Sequence, residues 1–475
     1  MSANSKFPTR RQILAGIGAS AGAIALASCG QNGETVTHYD AIIIGAGLSG
    51  LHAARLLEAE GLNILVLEAS DRVGGRIFTM DDVPSNPDAG GMEIGQMYAR
   101  ARATLTDLNI ELSAFPSSPS GMTINYGDYN TTLTNWSGWE HNPLPDKLKK
   151  MFPFSIIRSA MPSPNPLEEL DSWLDPEALQ YDVPLSDYLK NLGNNDVIRE
   201  IVDISLQGDS VDNISMLGEL RKGRISQFER SIGPSEMIVG GASRLPEAMA
   251  KSLKMPILNN KKVTSIKRNG RKSFITCDDG DEFSSEHVIC TVPYAVLKDI
   301  IIKPDLPEIQ NRAINEIPYL PATVFYFTSS EPFWESDRLP PTMWTNSPIE
   351  RVFALASNEK PVAVFWGLIN GNKALAFDKL TQKDQKKLII TEMARIRPAS
   401  QGKLTVHKIH SWTATPYSRG AWAYWKPNQI REFRGSYRAS HQNIHFAGEH
   451  TSTFAAGIEG AFESGERAAF EVLGI

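Results

Sequence analysis

Apolar and polar positions alternate in recognisable ways along most of this chain, and the clearest pattern stands near its start. Residues 41–44 form an unbroken apolar run that ends in Gly45-Ala46-Gly47-Leu48-Ser49-Gly50. A helical spacing of apolar residues follows, and a second apolar run stops at Glu68. The period predicts a strand, a glycine turn, a helix and a second strand. Further on, helical spacing recurs over 98–108, 185–192, 196–206, 244–253 and 382–396, and strand-length runs occur at 257, 263–266, 273–277, 287–293, 322–327, 362–367 and 444–446. Asn-Gly and Asp-Gly pairs between the runs of 263–293 predict an antiparallel meander.

The first unit carries its own chemistry. Gly45 permits a tight turn, Gly47 lets the backbone approach a pyrophosphate, and Gly50 lets the helix pack closely on the sheet. The helix N-terminus then offers unpaired N–H groups to phosphate. Glu68, 18 residues beyond Gly50, ends the second strand, where a carboxylate accepts hydrogen bonds from ribose hydroxyls. A dinucleotide is the expected ligand.

Between 115 and 166 the composition shifts to Pro, Ser, Asn and Trp, with breakers at 118–120 and 161–166. Such a shift marks departure into a second domain. At 475 residues and 41% hydrophobic content the chain is long enough for two or three domains with a large core. Its formal charge of −6 includes Lys6, Arg10 and Arg11 of an acid-free leader, which leaves −9 for the rest. Neither that balance nor any basic stripe invites nucleic acid.

The leader itself predicts export. Arg10-Arg11-Gln12-Ile13-Leu14 precedes a short Gly/Ala-rich apolar segment, 15–27, too short to span a membrane. The paired arginines resemble a twin-arginine signal, which implies a periplasmic protein exported already folded around its cofactor. Leu26-Ala27-Ser28-Cys29 resembles a lipobox, so Cys29 is either a lipidated first residue and membrane anchor or incidental to cleavage near Ala27-Ser28. Cys277 and Cys290 lie in apolar, strand-like contexts and read as buried small hydrophobes, with a disulfide as the alternative. No CxxC, HExxH or clustered His/Cys spacing occurs, so no metal is expected.

Arg72-Val73-Gly74-Gly75-Arg76 follows the nucleotide unit and reads either as a second phosphate contact or as a surface turn with two solvated arginines. Asp88-Ala89-Gly90-Gly91-Met92-Glu93 comes next, and the chain closes with Phe446-Ala447-Gly448-Glu449-His450-Thr451 and 457–469, a strand entering a glycine loop and then a helix that begins near Ile458. Three motifs, at Gly45 to Glu68, Arg72 to Arg76 and Phe446 to Ala468, occur in an order that resembles the flavin-containing amine oxidase superfamily, which includes monoamine oxidases, polyamine oxidases and L-amino acid oxidases. The resemblance covers both ends of the chain closely and its middle only loosely.

The resemblance implies an α/β fold in which a discontinuous Rossmann-like FAD-binding domain, 38–115, 236–300 and 405–475, receives an inserted α+β substrate domain, 116–235 and 301–404. It implies FAD as cofactor, with Gly45, Gly47, Gly50, Glu68, Arg72, Gly74, Gly75 and Arg76 at the adenine and pyrophosphate half. Gly91 and Met92 would run along the flavin, Val263 would touch the adenine end, and Gly448, Glu449 and Ile458 would meet the ribityl and pyrimidine region. His450 reads as a polar neighbour. Trp422 would form one wall of an aromatic cage at the flavin. Gly457 stands where the second cage tyrosine of monoamine oxidases would be, and Ala421 where their covalent flavin cysteine would be, which implies noncovalent FAD.

The activity implied is oxidation of an amine to an imine, hydrolysed to an aldehyde or ketone, with dioxygen giving hydrogen peroxide. Glu93 occupies the position of the arginine that grips the carboxylate in L-amino acid oxidases. A carboxylate there repels α-amino acids and attracts an ammonium, or is simply solvated. The strand lysine of many members would fall at Val324, and none is found there or beside it. An amine dehydrogenase passing electrons to a periplasmic carrier protein is therefore the alternative, followed by an L-amino acid oxidase and by a flavin-binding lipoprotein without catalysis. The sequence leaves the particular amine, any general base and the oligomeric state open.

Overall fold

A computed structural model describes residues 37–115, 121–193, 195–356 and 362–475. The leader, with the twin-arginine pair and Cys29, and the breaker run at 118–120 lie outside the described residues.

Two sheets carry the architecture. In the first, Thr37–Ile44 lies at the centre, parallel to Ile64–Leu67 on one side and to Glu282–Cys290 on the other. Ile64–Leu67 pairs in turn with Ile257–Leu258, and Ile444–Phe446 adds in parallel to Glu282–Cys290. The meander expected from the turn signals forms as Val263–Asn269, Lys272–Cys277 and Glu282–Cys290, and it is continuous with the parallel strands through its last member. Ile301–Lys303 closes that edge.

The unbroken apolar run of 41–44 is explained by burial on both faces. Ala41 and Ile43, with Ile64 and Val66, pack against helices Leu48–Ala59, Ala99–Asp107, Arg244–Ser252 and Gly457–Leu473. Ile42 and Ile44, with Leu65 and Leu67, face a second core built from the helices of 156–232 and the 294–320 segment. Helix Gly457–Leu473 lies directly on Leu48–Ala59, and a Cβ on Gly465 would stand 2.3 Å from Ser49 O.

The second sheet runs in the order Leu404–Ser411, Ala322–Ser329, Val364–Asn370, Arg351–Leu355, Met343–Thr345, Thr123–Tyr126 and Tyr129–Thr132. One face, with Phe325, Phe327, Val352 and Phe365, is sealed by helix Gln382–Ile396. The other face presents Val324, Tyr326, Trp366 and Leu368 to Met80, Ala89 and Trp412.

Strand membership differs from the expected boundaries by a few residues. Ile301–Lys303 belongs to the first sheet and Leu404–Ser411 to the second, while all described residues from Thr37 onward form one compact unit. The aromatic stretch 412–425 is a series of turns, tied to the second sheet by Trp412 N donating to Ala322 O at 2.9 Å and bridged from Ala423 to Tyr319. Its tryptophans are spaced for packing in three directions, not for one pleat. Cys277 and Cys290 are buried free thiols, which excludes the disulfide alternative. Among the described residues no helix is long and apolar enough to cross a membrane, and no group of His, Cys, Asp and Glu is arranged to hold a metal ion.

Candidate active site

The glycine turn is built as its spacing requires. Gly45 has φ +106°, and a Cβ there would meet Thr291 Oγ1 at 2.4 Å. A Cβ on Gly50 would lie 2.0 Å from Gly45 O. Gly47 differs, because nothing stands within 4 Å of its missing Cβ. It is also the N-cap of helix Leu48–Ala59, and no side chain caps that end. Open space over unpaired N–H groups at a dipole's positive end fits a pyrophosphate.

The second glycine motif docks on the first. Gly74 N donates to Ala46 O at 2.8 Å, and the Cβ position of Gly75 lies 3.6 Å from Gly47 Cα. Glu68 fixes the same turn: Oε2 accepts from Ala46 N at 2.7 Å, and Oε1 accepts from Ser70 N at 2.9 Å and Ser70 Oγ at 2.8 Å. A carboxylate offers about four acceptor positions, so one remains for a ribose hydroxyl. Lys261 N donates to Glu68 O and Asn260 N to Ser70 O, which brings Val263 to the same end as a buried residue.

The two arginines divide their work. Arg72 donates to the carbonyls of Val73, Gly75 and Ile77 and covers the Phe78 ring at 4.0 Å, so it shapes the loop. Neither of the readings drawn from sequence, phosphate contact or solvated turn, describes those bonds. Arg76 reaches across the molecule: Nη1 donates to Glu449 Oε1 at 2.7 Å and to Ala421 O at 3.0 Å. Glu449 Oε1 also accepts from Ala423 N at 3.2 Å. The pair thereby pins the backbone on both sides of Trp422. That indole is partly exposed, and its Nε1 has no acceptor.

Around this pair the remaining predicted residues gather. Hairpin strand Asp88–Gly90 is held by Tyr326 Oη donating to Asp88 O at 2.9 Å and by Trp412 Nε1 donating to Ala89 O at 3.1 Å. Gly90 itself is closed in by Arg76 O and the Trp412 ring, and Gly91 and Met92 lead out of the hairpin half-buried. Gly448 N donates to Ser464 Oγ at 2.9 Å. Gly457 opens the helix that carries the buried Ile458, with φ +54° and open space at its missing Cβ, and no side chain caps that N-terminus. Two uncapped helix ends, each with open space at a glycine, and the Arg76–Glu449 pair form a site whose donors and space suit a dinucleotide carrying an extended ring.

Two residues of this framework gave no sequence signal. Glu463 accepts from Thr453 N, Ser452 Oγ, Phe454 N and Ala455 N, and Arg221 donates to the carbonyls of Ser452, Thr453 and Ala455 while lying 4.5 Å over the Trp173 ring. Together they fix the loop before Gly457. Only the three-dimensional approach of helix Met216–Ile232 to this loop exposes Arg221's role.

The electrostatics separate structural from reactive groups. Burial between aromatic neighbours pushes His450 well below the usual imidazole range, aided by Arg76 and Arg467, so it stays neutral and has no partner for either nitrogen. Glu93 is exposed, and its charge adds to burial in lifting the Glu229 carboxyl. Val324 is buried in the apolar face beside Ala89 and Trp412, and strand Ala322–Ser329 holds no lysine.

The model of the family described as flavin containing amine oxidoreductase matches residues 48–473 of this chain. The chain belongs to that family. It is therefore an FAD-binding amine oxidoreductase; the Gly457 cradle and the Arg76–Glu449 pair lie within the matched span, which begins one residue after Gly47. The flavin-containing amine oxidase A of Equus caballus is 26% identical, over 92% of this chain and 85% of its own length. Putrescine oxidase bound to putrescine superposes with a TM-score of 0.75 at 21% identity, covering 92% of this chain and 99% of that one. Cyclohexylamine oxidase from Brevibacterium oxydans gives 0.75 at 20% identity, with 91% and 98% covered. Among such amine oxidoreductases the fold is thus shared across nearly the whole length.

Proposed function

We propose that this amine oxidoreductase binds FAD noncovalently through the first sheet and oxidises a primary or secondary amine held against Trp422, with dioxygen as acceptor giving hydrogen peroxide. The observation that carries the reading is the bracketing of Trp422 by Arg76 and Glu449, which fixes an aromatic wall to the same side chains that join the two glycine cradles. Bound FAD supplies the two-electron acceptor for a hydride from the amine-bearing carbon, leaving an imine that water hydrolyses.

The chain's own residues provide orientation and desolvation. The helix N-termini at Leu48 and Ile458 would hold the anionic and carbonyl groups of the cofactor. Ala421 offers no nucleophile for a covalent link. Trp422 and the apolar row at Val324 and Leu368 exclude water, which favours the neutral, hydride-donating form of the amine. Glu93 beside Glu229 disfavours an α-carboxylate and attracts the substrate ammonium before it loses its proton. Residues 1–29 are proposed to direct export to the periplasm, with Cys29 as a lipid anchor that mass spectrometry of the mature N-terminus tests directly.

A second reading has a specific observation in its favour. Val324 puts no cation beside the flavin position, so electrons would leave to a one-electron carrier protein instead of dioxygen. Anaerobic mixing of the purified holoenzyme with alkylamines, diamines and α-amino acids tests the main reading. Bleaching of the flavin by amines and not by α-amino acids is expected, and a flavin that no amine bleaches ends it.

A further inference from the structure

The face of the second sheet that looks toward Ala89, Trp412 and Ala421 carries one residue out of keeping with the rest. Strand register sets Val324 opposite Leu368, Leu368 opposite Arg351, Arg351 opposite Trp344 and Trp344 beside Ile124. Residues paired directly across strands point to the same face, so these five form one row across the sheet. Four of them are apolar in bulk. Arg351 is not.

Among the described residues its guanidinium forms no hydrogen bond or close ion pair, although the charge of its sequence neighbour Glu350 acts on it. Arg351 is half-buried: Nε is enclosed without an acceptor, its terminal nitrogens are not enclosed, and among the described residues no carboxylate comes within 4.0 Å. The sequence neighbour Glu350 is committed elsewhere, its Oε2 accepting from Asn370 N at 2.9 Å and its Oε1 facing Lys373 Nζ at 3.8 Å. Burial also lifts the Glu350 carboxyl to about 7, which weakens it as a counter-charge. Trp344 Nε1, the neighbour on the other strand, is likewise an enclosed N–H with no acceptor. Arginine does not shed its proton, and a half-buried guanidinium with no ion-pair partner presents free N–H groups to an anion. The row therefore offers donors and lacks an acceptor.

We propose that Arg351 receives a carboxylate at the far end of the amine substrate, and that the enzyme's substrates are amines bearing a carboxylate several bonds from the carbon that is oxidised. The proposal rests on the amine-oxidation reading above and names its substrate class. Two strand spacings separate Arg351 from Val324, about 10 Å along the sheet. That distance excludes an α-carboxylate, which Glu93 also repels, and suits a chain whose amine lies by Trp422 and Val324 while its acid end reaches across Leu368. The zwitterion matches both charges of the site: ammonium toward Glu93 and Glu229 on approach, carboxylate toward Arg351.

The test uses the FAD holoenzyme and its Arg351→Gln and Arg351→Lys variants, with 5-aminopentanoate and pentylamine as substrates and pentanoate as a ligand that cannot be oxidised. Anaerobic stopped-flow reduction should give a kcat/KM at least tenfold higher for 5-aminopentanoate than for pentylamine. Arg351→Gln should erase that ratio and Arg351→Lys should keep part of it. Pentanoate binding, read from the flavin absorbance shift, should weaken at least tenfold in Arg351→Gln and less in Arg351→Lys. A wild-type preference for pentylamine, or pentanoate binding indifferent to Arg351→Gln, overturns the proposal. If neither amine reduces the flavin while pentanoate still distinguishes the variants, the amine-oxidation reading fails and the anion site stands.

Discussion

Single residues in this protein are legible from sequence when their role is local. Gly45, Gly47 and Gly50 do what their spacing within one turn requires, because turn geometry is set by adjacent residues. Arg72 and Arg76 look equivalent in the sequence and are not, since only the fold brings Glu449 to Arg76. Removing that arginine should be costly. With both partners less than a fifth exposed, Arg76→Gln strands the Glu449 carboxylate and should cost about 3 kcal/mol, with FAD affinity falling on the order of a hundredfold. Fluorescence titration of FAD into the apoprotein measures it, and an unchanged Kd would remove the pair from the binding site. His52 makes a pH prediction at the same scale. It packs against Phe462 with neither nitrogen bonded, and burial first, then Arg55 and Arg100, lower its pKa to about 4. The unfolded chain binds a proton there near pH 6.5 and the folded chain does not, so stability falls as pH drops from 6.5 toward 4. Between pH 6.5 and pH 5 this group alone accounts for about 2 kcal/mol, and His52→Leu should flatten urea unfolding midpoints across that interval by the same amount. Parallel pH slopes in the two proteins would refute it.

At the level of elements, strands and helices with a single clear period were foreseen closely. The helix expected at 382–396 forms as Gln382–Ile396, and the run 41–44 becomes the C-terminal half of the central strand. The stretch 412–425 carries no single period because its aromatics serve different neighbours: Trp412 the hairpin, Trp422 the site, Trp425 the cluster with Trp173 and Tyr437. The most exacting contact between elements is that of helices Leu48–Ala59 and Gly457–Leu473, whose uncapped N-termini belong to the proposed FAD site. A methyl group on Gly465 would press on the Ser49 backbone, with Cβ to O, C and Cα at 2.3, 3.1 and 3.1 Å. Gly465→Ala should therefore push the two helix ends apart, destabilise the protein by about 1–3 kcal/mol and weaken FAD binding, whereas Gly138→Ala, where nothing stands within 4 Å, should change neither. Thermal melts of apo- and holoprotein distinguish the two. Glu463→Gln belongs with it: an amide carries one acceptor oxygen where the carboxylate has two, so the loop of 452–455 loses acceptors for its N–H groups and should melt several degrees lower.

For the molecule as a whole, the division of labour between the sheets decides where electrons go after the amine is oxidised. The first sheet and its helix ends build the proposed nucleotide site, and the second sheet presents an apolar face on which Val324 is buried beside Ala89 and Trp412. Reduction of dioxygen begins with electron transfer that creates superoxide, an anion that a fixed cation nearby would stabilise and an apolar wall would not. Val324→Lys supplies that cation without altering the glycine cradles or the Arg76–Glu449 pair. Desolvation on the apolar face lowers the new amine's pKa, so its benefit should be greatest at mildly acidic pH, where it is protonated. The expected outcome is an increase of tenfold or more in the rate at which dioxygen reoxidises the amine-reduced enzyme, with reoxidation by a one-electron acceptor such as a cytochrome little changed. Stopped-flow absorbance of the flavin at pH 6 and pH 8 reads both. Equal dioxygen rates in the two proteins at both pH values would show that charge at this position does not govern the oxidative half of the cycle, and would remove the ground for preferring the dehydrogenase reading.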